Sequence, residues 1–129
     1  MIKWIIPRLV YVVHEEQLAE HGGTSGVRDQ GLLESALARP QNIEAYGNPK
    51  PNIFDLAAAY AYGIIKNHPF IDGNKRTGFL LTYIFLRLNG YELNAPEAEA
   101  VLAVYSLASG EWIEKDFSRW LEHWSLKDL

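Results

Sequence analysis

The sequence predicts an all-α domain. Two stretches, Ile53 to about Asn67 and Gly73 or Asn74 to Asn89-Gly90, are apolar over most of a helical circumference, with one short polar loop between them. Cap and breaker residues recur at helix-length intervals: Gly22-Gly23, Asp29, Asn52, Asn89-Gly90, Pro96 and Gly110. No repeat, low-complexity tract or linker divides the chain, so residues 1–129 are read as one domain, a compact bundle.

In chain order, Pro7 suits the first turn of a helix that Gly22-Gly23 would end near His21. Val10 to Val13 is β-branched enough for a strand, but the charged continuation Glu15 to Glu20 favours helix. Thr24 to Arg28 reads as loop. Asp29 then caps a second helix with Leu32, Leu33, Ala36 and Leu37 on one face, expected to stop near Arg39 because Pro40 disfavours helix in the residue before it. From Gln41 to Pro51 the composition is that of a loop or a short β-hairpin. Asn52 with Asp55 caps the first apolar helix, whose small residues would let a neighbour approach closely. Pro69 forces His68 out of that helix. The second apolar helix carries Phe79, Leu80, Leu81, Tyr83, Ile84, Phe85, Leu86 and Leu88, the pattern of a central, buried element. Pro96 opens a further helix to about Ser109-Gly110. The last runs from about Trp112 to Trp124, with Trp112, Trp120 and Trp124 expected as core aromatics.

The bulk numbers exclude several functions. With 129 residues, 48% hydrophobic and 22% charged, the chain can bury a core without staples. It has no Cys, which rules out disulfides, thiolate metal sites and a cysteine nucleophile, and fits a reducing cytoplasm. A formal charge of -4 with scattered cations gives no reason to expect direct nucleic-acid binding, so a DNA-binding helical module is a weak rival. No apolar run reaches membrane-span length, and Met1 to Ile6 is too short for a signal peptide; a cytoplasmic protein is expected.

The chemistry concentrates in nine positions, His68 to Arg76. The backbone N–H groups of Gly73, Asn74, Lys75 and Arg76 would form the open first turn of a helix, where unpaired donors and the dipole attract an anion. Gly73 lets a ligand approach the backbone closely. Lys75 and Arg76 place two cations where the dipole opposes them, which makes sense if an anion, most commonly phosphate, binds there. Asp72 would repel phosphate unless a divalent cation such as Mg²⁺ stood between them. His68, at the same mouth, is suited to accept a proton at neutral pH. Phe70 is expected to turn inward and anchor the loop. Singly, these residues read as a helix cap, a turn and a solvated pair; their conjunction points to phosphoryl or nucleotidyl transfer to a hydroxyl. The G-x-x-x-x-G-K-[ST] phosphate loop is absent. His14, His21, His68 and His123 show no metal-ligand spacing, and His14 and His21 are expected on the helix surface.

The string His68-Pro69-Phe70-Ile71-Asp72-Gly73-Asn74-Lys75-Arg76 resembles the Fic/Doc family signature H-x-F-x-[D/E/N]-[G/A]-N-[G/K]-R. Glu20 to Gly23, Gly26 to Asp29, Leu32 to Pro40 and Phe85 to Tyr91 are similar to the death-on-curing (Doc) branch, so the resemblance spans nearly the whole chain. It implies the all-α Fic fold, with the motif loop between two central helices. His68 would activate a protein hydroxyl, Asp72 would hold Mg²⁺ on the phosphates of ATP, and Gly73, Asn74, Lys75 and Arg76 would line the anion hole. Gln41 to Lys50 would be a flap guiding the target segment.

Doc proteins are toxins that phosphorylate a translation elongation factor and are paired with a Phd antitoxin, whereas most Fic proteins transfer AMP. Lys75 is Doc-like, and Phe79 replaces the second arginine of the Fic AMP-transferases. Gly73 is Fic-like, because the phage Doc type carries Ala there. The expectation is γ-phosphoryl transfer, with AMP transfer as the alternative and a non-catalytic peptide-binding Fic fold as a second. The self-inhibiting pattern [S/T]-x-x-x-E-[G/N] is absent, since Ser118 and Glu122 are followed by His123, so a separate Phd-like antitoxin is expected.

Overall fold

The computed structural model describes residues 1–128 as six helices and one two-stranded sheet: α1 (Pro7–His21), α2 (Gln30–Tyr46), α3 (Ile53–Asn67), α4 (Asn74–Leu88), β1 (Tyr91–Leu93), α5 (Glu97–Ser109), α6 (Glu114–His123) and β2 (Ser125–Lys127). α3 is the axis. Ala57, Ala58, Ala59 and Ala61 along it have no exposed surface, and α2, α4, α5 and α6 all pack against it. α4 is less enclosed than its sequence suggests, with Phe79, Leu80, Tyr83 and Ile84 half-buried and Leu88 exposed. The three tryptophans expected in the core, Trp112, Trp120 and Trp124, pack against it while half-buried. No helix among the described residues is long and apolar enough to cross a membrane.

The caps act where the sequence places them. Asp29 accepts from the Leu32 N–H at 3.0 Å. Asn52 and Asp55 form a reciprocal box, Asn52 Oδ1 accepting from Asp55 N–H at 2.8 Å and Asp55 Oδ2 from Asn52 N–H at 2.9 Å. Asp55 also accepts from Lys115 Nζ at 2.8 Å and Ser118 Oγ at 2.7 Å, which ties the start of α3 to α6.

Two expectations need correction. α2 does not stop at Arg39 but continues through Pro40 to Tyr46. An interior proline costs ~3 kcal/mol, yet Pro40 is buried and Ile43, a turn further on, packs against the core. Core packing thus offsets the backbone penalty. The expected loop or hairpin from Gln41 to Pro51, within which the family resemblance places a flap over Gln41 to Lys50, is therefore helix over residues 41–46, leaving a short connection over residues 47–52 without strands. The sheet lies elsewhere: β1 pairs antiparallel with β2, Glu92 opposite Leu126, and closes the chain end against α4. Three-residue strands carry no readable alternation.

Where α2 crosses α3, Gly63 permits close approach. A Cβ there would sit 2.8 Å from Ala36 Cβ and 3.0 Å from Ala36 Cα. Gly63→Ala should gain about 1 kcal/mol of helix propensity and lose ~1–3 kcal/mol to overpacking; urea unfolding is expected to show net destabilisation. Asp55 yields a pH dependence. Burial raises its pKa, but the hydrogen bonds from Lys115, Ser118 and the Asn52 N–H outweigh burial and hold it below the ordinary value. Its contribution is full above the unfolded carboxylate value, about 4, and is lost as pH falls through the lower folded value. Asp55→Asn should flatten the acid side of the stability curve in that window.

Candidate active site

The turn between α3 and α4 is built by its neighbours. Pro69 ends α3, and His68 becomes its cap in the left-handed region, φ 52 and ψ 53, its N–H still bonded to Ile64 O at 3.2 Å. That geometry costs a non-glycine residue roughly 1 kcal/mol or more. Arg28 stabilises it, donating from Nε to His68 O at 2.7 Å and from Nη2 to Asn67 O at 2.8 Å. The N–H groups of Arg28 and Asp29 both donate to Pro69 O, at 2.7 and 3.0 Å. Val27 bridges Phe70, the Ile71 N–H donates to Gly26 O at 3.1 Å, and the Thr24 N–H donates to Asp72 Oδ2 at 2.9 Å. Residues 24–29, of which Thr24 to Arg28 read from sequence as plain loop and Asp29 as a helix cap, form a strap antiparallel to the motif.

Phe70 turns inward as expected and is fully buried. The Asn74 side chain is spent on this anchor: Oδ1 accepts from the Phe70 N–H at 3.0 Å, and Nδ2 donates to Phe70 O at 2.9 Å. These two bonds fix the amide orientation, so the group facing His68 Nδ1 at 3.1 Å is a donor. A neutral His68 ring paired this way carries its proton on Nε2. Asn74 thus serves the anion site only through its backbone.

His14 corrects another expectation. It is not a surface group but 2% exposed, stacked on Phe70 with ring centroids 3.8 Å apart and 12° between planes. Its Nε2 lies 2.8 Å from Asp72 O. A carbonyl only accepts, so Nε2 carries the proton. The signal was present in the sequence, because His14 shares a helix face with Val10 and Leu18, both buried. His21, by contrast, is exposed as expected.

Gly73 precedes α4 with φ 77 and ψ 17, and the first bond of the helix is Thr77 N–H to Gly73 O at 3.0 Å. The N–H groups of Asn74, Lys75 and Arg76 therefore stand ahead of the intrahelical ladder. A left-handed residue followed by a helical one makes a concave nest of N–H donors suited to an anion. Lys75 Nζ lies 5.5 Å from the Tyr105 ring centroid, a cation–π contact, and Arg76 is exposed. Phe79 stands one turn further on, its ring 6.4 Å from that of Trp120. His68, the Asp72 carboxylate, the nest and both cations thus belong to one short turn. Two surface grooves, one around Trp112 and Trp120 and one around Glu44 and Asn89, include none of these residues.

Fold and loop together define a class, and comparison with known proteins agrees. Residues 4–86 match the model of the Fic/DOC family, and the chain belongs to that family. Among its relatives are Toxin Doc of Mycolicibacterium smegmatis, 44% identical over 78 residues, and Protein kinase doc of Escherichia phage P1, 31% identical over 97 residues. The first alignment spans 57% of this chain and 57% of the relative, the second 74% and 76%.

Asn74→Ala would strand both backbone groups of the buried Phe70. A loss of ~2–4 kcal/mol in urea unfolding is expected, since each orphaned buried group costs about 1–3 kcal/mol before relaxation.

Proposed function

We propose that this chain transfers the γ-phosphate of ATP to a Ser or Thr hydroxyl of a target protein, and that it acts as a cytoplasmic toxin restrained by a Phd-like antitoxin. The target class is a translation factor, blocked by the modification. The relatives support this reading, since one is named a toxin and the other a protein kinase.

The observation that carries γ over α transfer is Phe79. The second arginine of the AMP-transferring pattern falls at this position, and here an aromatic ring packs toward Trp120. No cation remains at that position to orient the α-phosphate. Gly73 is the feature that favours the alternative, AMP transfer.

The residues fit a metal–nucleotide substrate. Asp72 is exposed and its Oδ2 is held by the Thr24 N–H, leaving Oδ1 open to a cation that takes one carboxylate and completes its shell with phosphates and water. Asp72 would hold Mg²⁺, whose contribution is to neutralise charge on the phosphates. The Gly73 to Arg76 N–H groups, with Lys75 and Arg76, hold the phosphate oxygens where charge accumulates. The target oxygen forms a bond to Pγ, the bond from Pγ to the β,γ-bridging oxygen breaks, and ADP leaves. The hydroxyl proton passes to His68. Because Asn74 donates to Nδ1, acceptance at Nε2 requires the ring to leave that contact and carry its proton on Nδ1. His68 is exposed, so the ring has room to turn.

Incubation of protein and target with ATP labelled at either the α- or the γ-phosphate tests this directly. Label is expected on the target from γ-labelled ATP alone; label from α-labelled ATP alone would establish AMP transfer instead. His68→Ala should lower transfer at least about a hundredfold and relieve growth arrest. Toxicity equal to wild type would mean that binding, and not catalysis, does the harm. Co-expression of a neighbouring small open reading frame should also relieve arrest.

A further inference from the structure

We propose that His14 is a positioning residue that locks the Asp72–Gly73 peptide in the orientation that aims the Gly73 N–H into the nest. This rests on the anion-binding reading of the loop. His14 Nε2 donates to Asp72 O at 2.8 Å. The peptide unit is planar and trans, so its C=O and N–H point in opposite directions. Holding the carbonyl toward His14 therefore turns the Gly73 N–H away from α1. That N–H has no partner among the described residues.

The backbone alone does not choose this orientation. Flipping the unit would take the Gly73 φ from 77 to about −100°, and glycine occupies either sign about equally readily. Thr24 holds the Asp72 carboxylate but leaves its carbonyl free to flip. Among the described residues, the His14 donor is the one hydrogen-bond partner of this peptide unit, and only the observed state joins a left-handed Gly73 to a helical Asn74 as a nest requires. His14 is itself held, buried on α1 and stacked on Phe70, with its ring within 3.7 Å of the place a Gly73 Cβ would occupy. A merely space-filling role would need the ring but not its N–H.

Two variants of the full chain separate these roles. His14→Phe keeps the ring and the stacking; His14→Gln keeps a donor near the Nε2 position. In ¹⁵N-labelled protein, the three-bond couplings of Gly73 report its φ, and titration with inorganic phosphate reports anion binding at the Gly73, Asn74 and Lys75 amides. His14→Phe is expected to change the Gly73 couplings and weaken phosphate binding roughly five- to tenfold, about one net hydrogen bond, while His14→Gln restores both. Wild-type couplings and affinity in His14→Phe would overturn the proposal. If the wild-type amides do not respond to phosphate at all, the anion site itself is wrong, and the ligand-free couplings of His14→Phe alone decide the lock. Should His14→Phe not fold, the imidazole ¹H–¹⁵N spectrum of the wild type decides: a proton on Nε2 of His14 supports the lock, and one on Nδ1 refutes it.

Discussion

The turn between α3 and α4 cannot satisfy its own backbone, and the rest of the site follows from that constraint. Pro69 breaks the helix, His68 adopts a left-handed cap, and the following residues are too irregular to pair among themselves. Their partners come from the connection between α1 and α2, through Thr24, Gly26, Val27, Arg28 and Asp29. Buried Phe70 then fixes the depth of the turn, with Asn74 bonding both of its backbone groups. What remains uncommitted is the chemistry: the Asp72 Oδ1 edge, the Nε2 edge of the His68 imidazole and the N–H groups ahead of α4.

This division explains how much the sequence revealed. Five of the six helices end close to where caps and prolines place them, because those signals are local. Pro40 misled because its cost is local while its compensation, burial in the core beside α3, is tertiary. The loop or hairpin expected there failed with it, since α2 continues over Gln41 to Tyr46. β1 and β2 were invisible because three residues cannot show an alternating pattern.

Within the site, residue types were legible but not their division of labour. Asn74 looks from sequence like one more donor for an anion, yet its side chain is enclosed by the loop it supports. His14 lies 58 positions from its partner Asp72, so only its place on the buried face of α1 hinted at a role. Strap residues 24–29 carry Gly and Thr, which read as loop, and their pairing with the motif exists only in three dimensions. The chemistry thus sits in contiguous sequence while the parts that hold it are scattered.

Calorimetric titration with ATP, ADP and adenosine in the presence of Mg²⁺ tests most directly whether this turn exists to hold phosphate. Binding should require the phosphates, with ATP and ADP retained and adenosine weaker by at least about tenfold. Adenosine binding as tightly as ATP would contradict the assignment of the Gly73 to Arg76 turn as the anion site.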